Sequence, residues 1–504
     1  MSGSEQALTR RGLLRRGGGV AGAAALGATG LGAQRAQAQD RPRDEGQPNV
    51  VLIVADRLRA DAIHAYDDIF DDRYTDTPNI DALADDSLRF RYAVPDGMPA
   101  IPMRRGLMTG MRSYPFRDWR AAPGMPAIPG WGKVYDFQPL LPELTAAHGV
   151  KTVYVTDNPT LSGPRFASIR RTGRLPSSSD YVSDERSYFL PLRDAPERQE
   201  PTQRVLRAGG ELLSELRGDQ PFFLALDAFN PVDAFETPRQ WVTGRGPVQY
   251  DMDEAKQRVY METLHVKERD GLVDSVRDAY GREVRAVDAA LGRFMNQLDD
   301  AGLADRTVVI FVGDSGIALG EQGTFGHPAG MWHRRVYHVP LMIKDPAGRW
   351  AGDTSSWFVS SHDIPPTILG YLGITTPGKM AGEDLTTLLD DDDLPPRPYF
   401  TTAIDSHVVI GDRNWLLIGR TGEDRWRLYE TEEEDEPNEI DAETVDSPTV
   451  LESLKRYGIA MAGGTLPEFG DDAALRPPAP RSQDKKVADD GTLDSDEQEA
   501  NELR

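Results

Sequence analysis

Short apolar runs alternate with amphipathic helical patterns along most of the chain. The run at 49–55 (NVVLIVA) is apolar at nearly every position, as expected for a strand buried on both faces of a parallel sheet. Similar runs occur at 152–156, 222–227, 307–312 and 339–343, and helical patterns cover 274–301 and 363–372. This alternation predicts an α/β domain over residues 48–398, with a central, mostly parallel sheet flanked by helices.

The pattern changes near residue 399. The segments 407–410, 415–418 and 425–429 are short, partly apolar and joined by polar turns. They predict antiparallel strands in a small α+β subdomain over residues 399–476. Residues 477–504 contain almost no large apolar side chains, which predicts a disordered acidic tail.

The N-terminus has the features of an export signal. Segment 9–15 (TRRGLLR) carries a twin-arginine pair, residues 17–34 are uncharged, and 36–38 (AQA) offers the small residues that a signal peptidase reads. We predict a twin-arginine signal peptide over 1–38, a linker over 39–47, and an extracellular or cell-envelope location. The alternative is a retained membrane anchor, but a segment this rich in Gly and Ala spans a bilayer poorly, so no transmembrane segment is expected in the mature protein.

The net charge and the absence of cysteine exclude several kinds of partner and site. The chain has 81 acidic and 57 basic residues, for a net charge of −24, so a nucleic acid partner is not expected. The absence of cysteine excludes disulfides, cysteine–zinc sites and a cysteine nucleophile. Only nine of the basic residues are lysine, a composition that resembles proteins of extreme halophiles; the alternative is an acidic protein of a GC-rich genome.

A series of motifs follows the predicted strands in a fixed order. They are DRLRAD at 56–61, TPNIDALA at 77–84, AIPMR at 100–104, TVVIFVGDSG at 307–316, LGEQG at 319–323 and DIPPTIL at 363–369. Together they resemble the sulfatase family of the alkaline-phosphatase-like superfamily over about residues 48–465. The resemblance implies hydrolysis of sulfuric esters by a formylglycine made from cysteine or serine, with calcium held by Asp and by Asn or His.

The position of the nucleophile is changed in this chain. Ala100 stands at the head of the family motif, and its methyl group can neither be oxidised to an aldehyde nor attack sulfur. Arg104 matches the arginine of that motif and can bind an anion. Val232 falls where relatives carry an active-site histidine, and His327 falls where the family usually has lysine.

The metal site that the resemblance implies is also altered. Asp56 and Asp314 match two ligands of the family, whereas Arg57 and Ser315 replace the other two. Because Arg57 adds a fixed positive charge that opposes metal binding, no cofactor is expected, although a residual calcium site stays open. We hypothesise that the Arg57 guanidinium takes the region of the lost cation and pairs with Asp56 or Asp314; the alternative is that it turns outward.

These changes leave two functions open. The first is an exported sulfatase-like protein without ordinary turnover, which binds a sulfated or phosphorylated anion through His333 and Arg334 or serves in the envelope. For the arginine pair 334–335, the alternative to anion binding is ion pairing with surface carboxylates, which we favour. The alternative is an active, divergent sulfate or phosphate ester hydrolase that uses a water or metal-hydroxide nucleophile. The losses are concentrated in the catalytic motifs, which favours the first function.

Overall fold

The computed structural model describes most of the predicted domain. Described residues are 46–66, 76–98, 101–112, 140–156, 201–218, 220–228, 266–321, 325–326, 334–390, 397–404, 407–420, 427–430, 438–440 and 447–461. The predicted signal peptide, most of the linker and the predicted acidic tail lie outside these residues, and so do Ala100, Val232, His327 and His333.

A seven-stranded sheet forms the centre of the molecule. Its strands are β1 (Asn49–Ala55), β2 (Leu88–Ala93), β3 (Lys151–Thr156), β4 (Phe222–Ala228), β5 (Thr307–Gly313), β8 (Leu341–Lys344) and β9 (Thr354–Val359). They run in the order β3-β4-β1-β5-β8-β2-β9. Only β8 is antiparallel to its neighbours, so the predicted mostly parallel sheet is confirmed.

Burial on both faces explains the apolar runs. Along β1, Val51 and Ile53 join a core cluster on one side of the sheet, whereas Val50, Leu52 and Val54 join a second cluster on the other. Successive side chains of a strand point to opposite faces, so a strand covered on both sides needs apolar residues at every position.

The described residues form helices that cover both faces of this sheet and, near the C-terminus, pack on a second sheet. They are α1 (Pro78–Asp85), α2 (Ile101–Thr109), α3 (Leu141–Ala147), α4 (Pro201–Leu216), α5 (Val266–Asp300), α6 (Arg334–Tyr337), α7 (Ile364–Tyr371), α8 (Leu385–Asp390) and α9 (Ser447–Met461). Buried residues of α4 and α5 pack on one face of the sheet, and those of α2, α3 and α7 pack on the other. The helix predicted at 274–301 begins earlier than its apolar pattern indicated, at Val266. The helix predicted at 363–372 is confirmed within about a residue.

The long helix α5 has a defined stop. Gly302 adopts φ +65, a left-handed conformation that costs glycine little. The N–H of Leu303 donates to the carbonyl of Leu298 at 3.1 Å, and the N–H of Gly302 donates to that of Asp299 at 2.7 Å. This Schellman arrangement satisfies carbonyls of the last helical turn, and a short 3-10 turn at Ala304–Arg306 then leads into β5.

A separate antiparallel sheet follows. Its strands are β10 (Phe400–Ile404), β11 (His407–Gly411), β12 (Trp415–Arg420), β13 (Arg427–Glu430) and β14 (Asn438–Ile440), in sequential order. Helix α9 packs on it through Leu454, which confirms the predicted antiparallel C-terminal segment. A two-stranded ribbon, β6 (Ala318–Leu319) with β7 (Phe325–Gly326), lies after β5. Within the described residues, none of the helices is both long enough and apolar enough to cross a bilayer.

Candidate functional site

Three buried carboxylates meet at the carboxyl edge of the central sheet. Asp56 follows β1, Asp227 lies near the end of β4, and Asp314 follows β5. The three strands are neighbours in register: Ala55 lies opposite Ala228 on one side and Gly313 on the other. All three side chains are at most 1% exposed, so their charge must be balanced inside the protein.

The guanidinium of Arg104, from helix α2, lies between these carboxylates. Its Nε donates to Asp227 Oδ2 at 2.8 Å and its Nη2 donates to Asp227 Oδ1 at 2.7 Å. Nη1 donates to Asp314 Oδ2 at 2.6 Å, and Nη2 also reaches Asp56 Oδ2 at 3.3 Å. Arg104 is 0% exposed, so a fully buried arginine is enclosed by three aspartates. We call these four residues the arginine cage.

Arg57 closes one side of the cage. Its backbone N–H donates to Asp314 Oδ1 at 2.6 Å, and its Nε lies 3.5 Å from Asp56 Oδ1. The ion pair with Asp56 agrees with the hypothesis from the sequence, but the guanidinium at the centre of the carboxylates belongs to Arg104. Arg57 has φ +62, a left-handed conformation that costs a non-glycine residue about 1 kcal/mol. The hydroxyl of Tyr280 donates to its carbonyl at 2.8 Å, and this bond and the Asp314 contact hold the conformation in place.

Two hydroxyl groups also donate hydrogen bonds to the cage carboxylates. The Tyr154 hydroxyl donates to Asp227 Oδ2 at 2.5 Å, and Ser315 Oγ donates to Asp314 Oδ1 at 3.1 Å. Burial, and then the charge of Asp227, raise the pKa of Tyr154 well above its ordinary value, so this phenol remains protonated. Ser315, which the sequence resemblance aligns with a metal-ligand position, here donates a hydrogen bond to a carboxylate.

Among the described residues, the charges of the cage and of the adjacent Arg57 nearly balance. Three carboxylates face two guanidinium groups, those of Arg104 and Arg57. Burial raises the pKa of Asp56 well above its ordinary value, Asp314 raises it further, and Arg104 opposes the shift. Although burial alone would lower the pKa of Arg104, its aspartate partners raise it well above the ordinary value, so the guanidinium stays charged.

A second charged group, which we call the Arg59 cluster, lies beside the cage. Arg59 donates to both oxygens of Asp61, at 2.7 and 2.5 Å, and to Glu321 at 3.0 Å. Arg335 lies 3.2 Å from Asp61 and 3.3 Å from Glu321, and Arg277 lies 3.8 Å from Glu321. Burial alone would raise the pKa of Glu321, but the charge of Arg59 and the neighbouring hydrogen-bond donors lower it to about 2. Three guanidinium groups thus share the carboxylates of Asp61 and Glu321.

The candidate site residues are distributed unevenly over the structure. Asp56, Arg104 and Asp314 belong to the arginine cage, and Arg57 and Ser315 contact it through Asp56 and Asp314. Arg334 begins helix α6, immediately before Arg335 of the Arg59 cluster. The structure gives no geometry for the nucleophile position or for the two candidate histidines, since all three lie outside the described residues.

Asp227 and Tyr154 were not predicted as site residues. Asp227 ends the apolar run 222–227, and Tyr154 lies inside another strand run. The signal that could have identified Asp227 was its charge: a carboxylate in a strand predicted to be buried on both faces requires a cationic partner.

The cage does not fit the calcium that the sequence resemblance implies. Among the residues that the structure describes, no group of three or more His, Asp or Glu side chains is arranged to hold a metal ion. Arg104 occupies the space between Asp56, Asp227 and Asp314, and its hydrogen bonds use oxygens that a cation would need.

Known proteins resemble this chain in sequence. The family model described as Sulfatase matches residues 48–374. The multifunctional alkaline phosphatase superfamily protein PehA of Trinickia caryophylli is 26% identical over 405 residues, covering 68% of this chain and 77% of that protein. Iduronate 2-sulfatase of Homo sapiens is 27% identical over 348 residues, covering 60% of each chain.

Solved structures share the fold. The phosphonate monoester hydrolase of Agrobacterium radiobacter has a TM-score of 0.60 at 19% identity, covering 82% of this chain and 96% of that one. A structure solved with its substrate D-glucosamine-2-N,6-O-disulfate has a TM-score of 0.59 at 20% identity, covering 82% of this chain and 98% of that one.

Proposed function

Because the chain belongs to the sulfatase family, we propose that it is a family member that has lost formylglycine hydrolysis and now binds an anionic, sulfated or phosphorylated ligand. Its hydrolase ancestry lies in the alkaline phosphatase superfamily. The chain keeps the sulfatase fold and a charged carboxyl edge of the sheet, but it lacks the nucleophile.

One observation carries the loss of hydrolysis: the buried guanidinium of Arg104 is bonded to Asp56, Asp227 and Asp314. Ester hydrolysis needs positive charge aimed at the oxygens of the transferring group. A guanidinium that is 0% exposed and surrounded by carboxylates does not present its donors to a sulfate. The aspartates around it would repel an approaching anion.

The nucleophile supports the same conclusion on chemical grounds. Attack on sulfur requires an oxygen nucleophile, and position 100 holds a methyl group. A water or metal-hydroxide nucleophile is the remaining route, and it would need a cation among carboxylates whose oxygens already accept hydrogen bonds from Arg104.

Anion binding is supported by the partly exposed arginines of the Arg59 cluster. Arg335 and Arg277 have side chains 32% and 27% exposed, and they share two carboxylates with the buried Arg59. Arg334 precedes Arg335 on the same helix. Partly exposed guanidinium groups are the side chains best suited to bidentate recognition of sulfate and phosphate oxygens. A sulfated sugar is the substrate of one structural neighbour.

Turnover and binding assays test the two halves of the proposal. Purified protein is incubated with aryl sulfate, aryl phosphate and aryl phosphonate, with and without added calcium or manganese. We expect no turnover above background, and none after Ala100→Cys, because Arg104 still fills the centre of the cage. Robust turnover that Arg104→Ala abolishes would establish the divergent hydrolase instead.

Calorimetry with inorganic sulfate and glucosamine 6-sulfate tests the binding half. We expect saturable binding that Arg335→Gln weakens at least about tenfold, the scale of one lost charge-assisted contact. The matched control is Arg282→Gln, which removes an arginine paired with Asp278 on the surface of α5 and should leave binding unchanged. Absence of binding to every anion would refute a ligand-binding role.

We further propose that the protein leaves the cytoplasm through the twin-arginine route. The support is the sequence pattern at 9–15 and 17–38. Replacing Arg10 and Arg11 by lysine should retain the protein in the cytoplasm, as cell fractionation would record. Normal export of that variant would exclude the route.

A further inference from the structure

Five of the six carboxylate oxygens of the arginine cage accept hydrogen bonds, and the sixth, Asp56 Oδ1, forms an ion pair with Arg57. Both oxygens of Asp227, one of Asp314 and one of Asp56 contact the guanidinium of Arg104. The second oxygen of Asp314 accepts from the Arg57 N–H and the second oxygen of Asp56 lies 3.5 Å from Arg57 Nε. Four of the six oxygens thus accept hydrogen bonds from Arg104.

A divalent ion and this guanidinium cannot share the cage. Calcium takes about six to eight oxygens at about 2.3–2.6 Å, so it would need the oxygens that Arg104 now holds. Its two positive charges would also lie beside two guanidinium groups, with only three carboxylates to balance four charges. With Arg104 removed, a divalent ion and Arg57 together match the three carboxylates in charge.

We propose that Arg104 is the resident cation of this pocket, in the place that a metal ion would need, and that its removal converts the cage into a divalent-cation site formed by Asp56, Asp227 and Asp314. A planar guanidinium suits this role because its five N–H donors diverge toward several acceptors at once. This deepens the proposed function, since a pocket neutralised by its own side chain has no metal to activate water, but it concerns cation binding and not turnover.

Calcium titration of four proteins tests the proposal. The wild type should show no saturable binding, and Arg104→Ala should bind one equivalent of calcium. The double variant Arg104→Ala, Asp227→Asn should lose that binding. The matched control is Arg59→Ala, which removes another fully buried arginine held by two carboxylates but leaves Arg335 and Arg277 beside them. This control should bind no calcium.

Chemical rescue provides a second measurement on the same variant. Low concentrations of guanidinium chloride, well below those that denature proteins, should raise the melting temperature of Arg104→Ala, because the free ion can reoccupy the carboxylates. Equal concentrations of urea or sodium chloride should not. Guanidinium and calcium should compete, each reducing the apparent affinity of the other.

Several outcomes would overturn the proposal. One is a wild-type protein that binds one equivalent of calcium and loses it in Asp314→Asn. Another is a folded Arg104→Ala that responds to neither ion. If Arg104→Ala does not fold, the wild-type titration and its Asp314→Asn control decide alone. No ester is present in these titrations, so aryl sulfate turnover without metal binding would refute the proposed function and leave this proposal intact.

Discussion

The hydroxyl of Tyr154 donates to Oδ2 of Asp227 at 2.5 Å, the same oxygen that accepts from Nε of Arg104 at 2.8 Å. One carboxylate therefore binds a neutral phenol from β3 and a guanidinium from α2. Because Asp227 itself lies in β4, its side chain joins β3, β4 and α2 at the carboxyl edge of the sheet.

Asp227→Asn should be among the most destabilising single substitutions in the chain. Arg104 keeps Asp56 and Asp314 but loses its bidentate partner, and Tyr154 loses a charged acceptor. Breaking a buried ion pair in this way typically costs about 3–5 kcal/mol. We expect the free energy of unfolding, measured with urea, to fall by about that amount. Asp278→Asn is the control, since it breaks an exposed pair with Arg282 on α5. Such pairs contribute about 0.5 kcal/mol or less. A similar loss in both variants would contradict the role of Asp227.

Tyr280→Phe should loosen the turn that follows β1. The hydroxyl accepts from the N–H of Arg59 at 3.0 Å and donates to the carbonyl of Arg57 at 2.8 Å. Its loss leaves a buried N–H without this acceptor, which costs about 1–3 kcal/mol. Tyr92→Phe is the comparison, because that ring packs on Phe358, 5.1 Å between centroids, at the far edge of the sheet. Urea unfolding of both variants should separate them; equal stabilities would refute the bridging role.

Folding stability should decline as pH falls from about 6.5. Burial, with Arg334 nearby, lowers the pKa of His338 to about 3 from its ordinary 6.5. Between these values the unfolded chain binds a proton that the folded protein does not, so acidification favours unfolding by up to about 1.4 kcal/mol per pH unit. His362, whose pKa burial also lowers to about 3, adds a second proton to the slope.

Histidine variants test this assignment. His338→Gln keeps a donor for the carbonyl of Arg91, with which the ring nitrogen forms a 2.7 Å hydrogen bond, and removes the titrating group. The slope of unfolding free energy between about pH 7 and about pH 5 should fall by up to about 1.4 kcal/mol per unit. His64→Gln, at a side chain 79% exposed, should leave the slope unchanged. An unaltered slope in His338→Gln would show that its protonation is not coupled to folding.

Salt should raise the melting temperature. A net charge of −24 makes the compact chain repel itself, and the screening length shortens from about 10 Å at 0.1 M to about 3 Å at 1 M ionic strength. We expect a higher melting temperature in molar sodium chloride than in dilute buffer. The measurement is a thermal scan at several salt concentrations, and a flat or falling trend would contradict the halophilic interpretation.

The central strands were predictable because burial on both faces leaves a local signature. Strands such as β1 and β5 are continuous apolar runs. Strand β9 (TSSWFV) carries no such run, since only part of it is buried, and it was not predicted. The antiparallel direction of β8 was equally invisible, because strand direction depends on connections and not on composition.

The site was predictable only where chemistry follows directly from the motif. Asp56 and Asp314 were found because they end recognisable strands, and the structure brings both to Arg104. Arg57 was expected at the centre because it is adjacent to Asp56 in the sequence. The central guanidinium instead comes from a helix packed across the sheet, and no local pattern records that approach.

The arginine cage also has a consequence for the order of assembly during synthesis. Arg104 is separated from Asp56 by 48 positions, from Asp227 by 123 and from Asp314 by 210. Contacts this distant in the chain close slowly, and domains made from the N-terminus must wait for their last strand. A nascent chain can thus enclose Arg104 only after β1, β4 and β5 have paired, so protection of that side chain marks a molecule in which these three strands have come together.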